Sequence, residues 1–361
     1  MPSLIFAILL NAYGLSAGAS SCSSEKVAEV LSPADSSSPV VMIDCSLALK
    51  GSNVVTKRMI FEGTAASGIT LDCNSAMIDG GEGRPNHGRD MIEVRSRRSP
   101  DSSTGGWRWD RPEDITIRNC RITGSVRIRG MAENGQGAHL RDSSRQSGHI
   151  ERARTNAPTR ITIDNTEITA TGRIPLYFSP GVTHSSLINS RIKGISSSVA
   201  VYFDAESSGN MLRSNTFMAD TGREIIALDG SSGNTIIGNS FHILNKGGIF
   251  LYRNCGEGGT IRHSPPERNI ISGNQFFYGE SSGDHPAVFI GSRNGRRLYC
   301  GADSGHPYGS SISDLDHASY NTITGNRFHN RTGSGLIRNG NEAVNTDNNT
   351  DDNLSIENAG R

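Results

Sequence analysis

The 361-residue sequence is poor in aromatic residues, at 6%, and holds only two tryptophans. Neither sign of charge predominates, with 36 basic residues against 36 acidic ones. That balance excludes the global basic footprint of a nucleic-acid binder, and no nucleic-acid partner is expected. After the N-terminus no apolar run is long enough to span a bilayer, so no membrane span is expected. No cysteine pair has CxxC spacing, which argues against a structural zinc site. Neither a metal nor an organic cofactor is expected. Apolar residues at the helical spacing of three and four are also missing beyond the N-terminus.

The chain opens MPSLIFAILLNAYGLSAGASS. Its apolar stretch has the length of a signal-peptide core, and Ala17-Gly18-Ala19 is a small-residue cleavage site. The expectation is a signal peptide over 1–19 and a secreted or periplasmic protein. Six cysteines follow, an even number that fits disulfides in an exported chain. Cys255 with Cys300 is the expected clamp between two loops. Cys22 with Cys45 would tie down the N-terminal extension, and Cys73 with Cys120 would join neighbouring repeats.

Repeats are the strongest feature. VYFDAESSGNMLRSNTF, from Val201, is followed by IALDGSSGNTIIGNSF, from Ile226. Related segments are ITIRNCRITG from Ile115, ITIDNTEITA from Ile161, SLINSRIKG from Ser186, RNIISGNQFF from Arg268 and NTITGNRFHN from Asn321. An asparagine marks each: Asn119, Asn165, Asn189, Asn215, Asn239, Asn274 and Asn326. The central intervals are roughly 24 to 26 residues, a solenoid period. Apolar residues alternate over three to five positions, as in Ile161 and Ile163 or Ile249 and Leu251, which is strand periodicity. The pattern predicts an all-β, single-stranded parallel β-helix with long loop insertions. An extension or cap is expected over 20–37, the coil over 38–348 and a flexible tail over 349–361. The asparagine suits a turn that tolerates left-handed backbone, and its amide can ladder between coils.

From about Ser38 to Asn348 the sequence resembles the right-handed parallel β-helix superfamily of pectate-lyase-like proteins, and right-handedness is implied by that resemblance. Members include polysaccharide lyases, glycoside hydrolases, uronan epimerases, phage tailspikes and non-catalytic periplasmic proteins, so fold alone does not choose a function. REIIALDGSSGNTIIGNSF with GGIFLY is distantly similar to alginate-lyase and chondroitinase-B type lyases. The resemblance implies a lysine base at Asp229 and an arginine at Tyr252, and neither matches. The Asp-Pro-His-Asp motif of mannuronan epimerases is absent. SRIKG at Ser190 is similar to the Arg-Ile-Lys motif of polygalacturonases but precedes the acidic repeats.

Three insertions interrupt the coil: Arg95 to Pro112, with Trp107 and Trp109; Gly130 to Arg160, rich in Gly, Arg and His; and a group containing CGEGGTIRHSPPE and the segment from Gly279 to Ser319. Long loops of this kind often carry function. Aligning Phe203, Leu228 and Leu251 as inward residues places Ser179, Asp204, Asp229 and Tyr252 in one outward column. Adjacent strands lie about 4.8 Å apart, so Asp204 and Asp229 would stand at the separation of retaining glycoside hydrolysis. Two such carboxylates resist joint ionisation, leaving one as acid. The competing reading makes them caps of their Ser-Ser-Gly-Asn turns. Glu224, Tyr252, Arg253, Arg262 and His263 are candidates for substrate contact, and Trp107 and Trp109 for sugar stacking or for plugging a loop. The arginines Arg95, Arg97, Arg98, Arg141, Arg145, Arg152 and Arg154 favour an anionic glycan. The expected function is an exported polysaccharide-active enzyme, a glycoside hydrolase first. A lyase using Arg253 and His263 is the catalytic alternative, and a non-catalytic glycan-binding or periplasmic scaffold is the alternative of another class.

Overall fold

Three-residue strands such as Thr162–Asp164, Ser186–Ile188 and Met211–Arg213 each bury only their central residue. Ile163, Leu187 and Leu212 therefore stack in register, each covering the next. This is the alternation read from the sequence, now repeated coil upon coil. The computed structural model describes residues 19–103, 105–242, 245–254, 259–279, 282–291, 318–333, 335–340 and 347–356. Among them the chain winds into a parallel β-helix of three long sheets with ten, nine and ten strands, all inter-coil pairs being parallel. No helix among the described residues is long and apolar enough to cross a membrane.

The core is one continuous cluster of stacked side chains, with an inward column from each sheet. Phe217, Phe241, Phe276 and Phe328 lie face to face with ring centroids 4.9, 4.7 and 5.5 Å apart. A coil cannot bury these faces alone, so each is stabilised by its neighbours. Burying such a ring contributes about 1.5–3 kcal/mol.

Two buried polar ladders flank the third side of this column. In one, the backbone N–H of Ser190 donates to Asn215 Oδ1, and the chain continues through Asn239, Asn274, Asn326 and Asn353, each bond 2.9 or 3.0 Å. The second runs from Ser185 through Asn210, Asn234, Asn269 and Asn321 to Asn348. The asparagine marker thus combines two positions. Asn119, Asn165 and Asn189 take the left-handed turn, with φ of 56°, 45° and 50°, one residue before the ladder. Asn215, Asn239, Asn274 and Asn326 stand on the ladder itself.

Elements outside the coil differ from expectation. Helices were not expected, yet α1 (Ser24–Leu31), α2 (Ala138–Ser144) and α3 (His149–Thr155) form. Ser23 caps α1 by accepting the Lys26 N–H, and α1 packs Val27, Val30 and Leu31 on the first coil, covering its open end. The helices α2 and α3 are too short to show a period in a Gly- and Arg-rich loop. The insertion from Arg95 contains an antiparallel hairpin, Arg97–Asp101 with Gly106–Asp110. A strand at Leu354–Ile356 pairs with Arg327–His329, inside the stretch expected as a tail. Its ladder residue Asn353 belongs to a coil without the aromatic that betrayed the others. Cys22–Cys45 and Cys73–Cys120 are bonded as expected. Cys255 and Cys300 lie outside the described residues.

Candidate functional site

The ten-stranded sheet that includes Val201–Phe203, Ile226–Asp229 and Ile249–Tyr252 carries the site, and is called the front sheet here. Its inward residues Phe203, Leu228 and Leu251 pair in register, as do Asp229 and Tyr252. The strands therefore present two outward columns. One contains Arg127, Tyr177, Tyr202 and Ala227, and the other Arg129, Ser179, Asp204, Asp229 and Tyr252. The Ser-Ser-Gly-Asn offset does not break this register. Ser207 Oγ meets Ser231 Oγ at 2.7 Å, and Glu206 and Gly230 both adopt left-handed backbone, φ 65° and 63°. The first repeat simply fits one additional residue, Ala205, into its turn.

Asp204 and Asp229 are fully buried. Arg262 Nη1 lies 2.8 Å from Asp204 Oδ1 and 2.8 Å from Asp229 Oδ2, so these two oxygens are at most twice that distance apart. Each aspartate also accepts a phenol hydrogen from the other column: Tyr177 donates to Asp204 Oδ2 at 2.7 Å, and Tyr202 to Asp229 Oδ2. The two tyrosine rings stack 5.0 Å apart, with the Arg127 guanidinium 4.3 Å from the Tyr177 centroid. Burial pushes the Asp229 carboxyl above its ordinary range, against the lowering pull of Arg262. Burial likewise raises both tyrosines well above theirs. Burial pulls the Arg262 pKa down, but Asp229 and Asp204 outweigh it and hold the guanidinium well above its ordinary value. Asp204 Oδ1 also accepts the Ala205 N–H of its own turn at 2.8 Å, whereas Asp229 Oδ1 accepts the Asn254 N–H after the next strand at 2.6 Å.

Two insertions close over this cluster. Gly135 donates its N–H to Asp204 Oδ2 at 2.9 Å. Ser144, at the end of α2, accepts the Ile261 N–H on its hydroxyl and the His263 Nε2 hydrogen on its carbonyl, at 2.9 and 2.7 Å. Glu206, also fully buried, accepts from the His263 N–H, the Ser264 N–H and the Ser264 hydroxyl. His149 of α3 packs with its ring tilted against His263 and stands 3.9 Å from Glu206 Oε1. Burial lowers the His149 pKa to about 4.

Beside the closed cluster the front sheet opens into a groove of about 510 Å³. Four arginines line it, Arg95, Arg97, Arg98 and Arg129, against two glutamates, Glu62 and Glu133. Trp109 and His139 complete its wall. His139 lies edge-on to Trp107 and Trp109, at 5.6 and 5.8 Å, and the Arg98 guanidinium is 4.1 Å from the Trp107 centroid. Trp107 is 48% exposed and faces solvent. Trp109 packs on a small cluster of Met131, Ala132, Leu140 and Ala153 and so anchors the hairpin. One tryptophan thus has the placement of a platform and the other that of a plug.

The structure gathers Asp204, Asp229, Arg262 and His263 into one cluster. Tyr252 extends the aspartate column, but its hydroxyl turns to Glu224 Oε1 at 2.9 Å, where Arg223 joins at 2.8 Å. Arg253 pairs with neither Glu224 nor Asp229; it is buried and its Nη1 donates to the His263 carbonyl at 3.2 Å. Sequence reasoning missed Tyr177 and Tyr202, although LYF and VYF recur at one register. It also missed His139, which meets Trp107 and Trp109 of the hairpin, and His149, which meets His263 and Glu206 far along the chain. Among the described residues no cluster of His, Cys, Asp and Glu is arranged to hold a metal ion.

Residues 106–283 match a family model described as the right handed beta helix region. Curated proteins gave no match. Among solved structures, PfbA, a surface adhesin of Streptococcus pneumoniae, is similar at 12% identity and a TM-score of 0.46, over 81% of this chain and 59% of the adhesin. The chain therefore spans less than two thirds of that protein. An alginate lyase from Paenibacillus sp. is similar at 13% identity and a TM-score of 0.46, covering 91% of this chain and 96% of the lyase. The A-module of a mannuronan C-5 epimerase from Azotobacter vinelandii is similar at 12% identity and a TM-score of 0.38, covering 94% and 92%. The coil and the family match show the right-handed parallel β-helix fold, and the likeness to the solved structures is distant.

Proposed function

We propose that this is an exported polysaccharide-acting protein that holds an anionic glycan along the front sheet. The observation that carries the reading is the groove beside the aspartate column, where four arginines outnumber two glutamates next to a half-exposed tryptophan. Guanidinium groups bind carboxylate or sulfate as planar forks, and an aromatic face suits a sugar ring. Two disulfides fit an oxidising compartment, in keeping with the signal-like N-terminus.

Turnover is assigned to Asp204 and Asp229 as a glycoside hydrolase pair. Their facing oxygens share one nitrogen and so lie at most twice 2.8 Å apart, a bound that admits the spacing of about 5–5.5 Å associated with a retaining mechanism. One carboxyl would protonate the leaving oxygen while the other attacks the anomeric carbon. Water then releases the sugar and returns the proton. The second reading is a non-catalytic glycan binder, favoured by the complete burial of both aspartates. Lyase action through His263 is the third, and the Nε2 bond of that residue to Ser144 would first have to break.

Digestion of a glycan panel followed by mass spectrometry tests these readings together. Saturated new reducing ends support hydrolysis and unsaturated ends support a lyase. Salt-sensitive binding without cleavage supports the binder, and equal affinity for neutral glycans overturns the anionic assignment.

A further inference from the structure

The insertion over residues 131–157 is built as a separate body. Its apolar residues Met131, Ala132, Leu140 and Ala153 cluster with one another and with Trp109, apart from the main core. Its last residue, Ala157, joins the main core, while polar contacts with the coil and with residues 259–264 run through Glu133, Gly135, Ser144 and Arg154. Its two ends meet at the base, where a Cβ on Gly130 would come within 2.7 Å of Ala157. Polar seams and a self-contained cluster are the marks of a unit that opens below the global unfolding free energy.

Arg262 lies at the centre of the seam. Gly135 sits directly on its guanidinium, close enough that a Cβ there would fall 2.3 Å from Nη2. Beneath, the same side chain is held by Asp204 and Asp229. While it stays there, a substrate reaches neither aspartate.

We infer that residues 131–157 and 259–264 form a lid, and that Arg262 is the latch that masks the two aspartates while the lid is shut. The role of the masked pair rests on the hydrolase reading above; the motion does not. Opening does two things at once. It exposes the carboxylates, and it removes the positive charge between them. Two carboxylates so close then resist joint ionisation, and one takes a proton from solvent. Access and the singly protonated state needed for acid catalysis therefore arise in one step.

Native-state hydrogen exchange on the full-length protein tests the lid. The amides of Gly135, Ile261 and His263 should exchange together, at least a hundredfold faster than those of Thr162 and Thr235 in the coil. Equal rates in both sets would overturn the lid. Arg262→Gln should speed the lid amides at least tenfold further and leave Thr162 and Thr235 unchanged; an unaltered lid would overturn the latch. Should that variant not fold, Gly135→Ala presses on the same guanidinium from above and should produce the same acceleration, and its failure to do so would overturn the latch equally. Glycan turnover is measured beside exchange. A lid that opens as described in a protein that cleaves no glycan upholds the motion and removes the hydrolase reading alone.

Discussion

His149 and His263 meet as tilted rings across the seam between two insertions, centroids 5.1 Å apart, with Glu206 beside them. The groups facing His149 are Glu206, His263 and Arg152, and the hydroxyl of Ser143. Burial opposes protonation more than Glu206 favours it, so the pKa falls from 6.5 to about 4. A depressed folded pKa adds stability that is complete above 6.5 and is lost as pH falls towards about 4. Proteolysis of the 131–157 segment should therefore accelerate as pH is lowered through that window, while the coil resists. His149→Phe should flatten the dependence. A wild-type profile with no change over that range would contradict the assignment.

Asp204 and Asp229 set two negative charges against one guanidinium. Asp229→Asn nearly keeps the shape but turns an amide NH2 towards a donor, either the Asn254 N–H or Tyr202 and Arg262, so it should cost about 1–3 kcal/mol. Arg262→Met strands both carboxylates and should cost about 3–5 kcal/mol, felt first in the lid. If the pair is catalytic, Asp204→Asn or Asp229→Asn should lower turnover by about 10²–10⁴-fold with the fold retained. Glu224→Gln, outside the column, should cost less. Melting curves and glycan turnover on the same preparations separate the two effects.

Arg98→Ala and Trp107→Ala should each weaken binding of an anionic polymer by about tenfold, since one removes exposed charge and the other a platform. The arginine variant should also flatten the salt dependence, because screening at about 8–10 Å acts on the charge it removes. Titration calorimetry at two salt concentrations reads both.

Asn239→Ala should destabilise the coil by roughly 2–4 kcal/mol. The Asn239 side chain accepts the Asn215 N–H and donates to the Leu212 carbonyl and to Asn274 Oδ1, all buried. Leaving such groups unpaired costs about 1–3 kcal/mol each. Denaturant melts against the wild type provide the measurement.

Much of the coil can be read from the sequence because strand period and repeat period are both local. Phe203, Leu228 and Leu251 alone align Asp204, Asp229 and Tyr252, and that register is present in the structure. Cys73 and Cys120 were expected to join neighbouring repeats, and they do. What surrounds the column has no period. Arg262 reaches Asp204 across 58 residues, and Ser144 reaches His263 across 119. Contacts of that span are set by how two loops fold upon each other, which no alternation of apolar residues records. The last coil was missed for a related reason: Asn353 keeps the polar ladder without the aromatic signal.

The asparagine ladder has a further consequence. Asn215 to Asn239, Asn239 to Asn274 and Asn274 to Asn326 span 24, 35 and 52 residues, yet the bonds measure 2.9, 2.9 and 3.0 Å. The spine does not register how much chain lies between two rungs. Whatever is spliced in at a turn leaves the chassis untouched, so recognition can diversify by exchange of whole excursions while the coil stays constant. A chimera carrying a foreign excursion in place of 131–157 should thus fold on the same spine and differ only in what it grips.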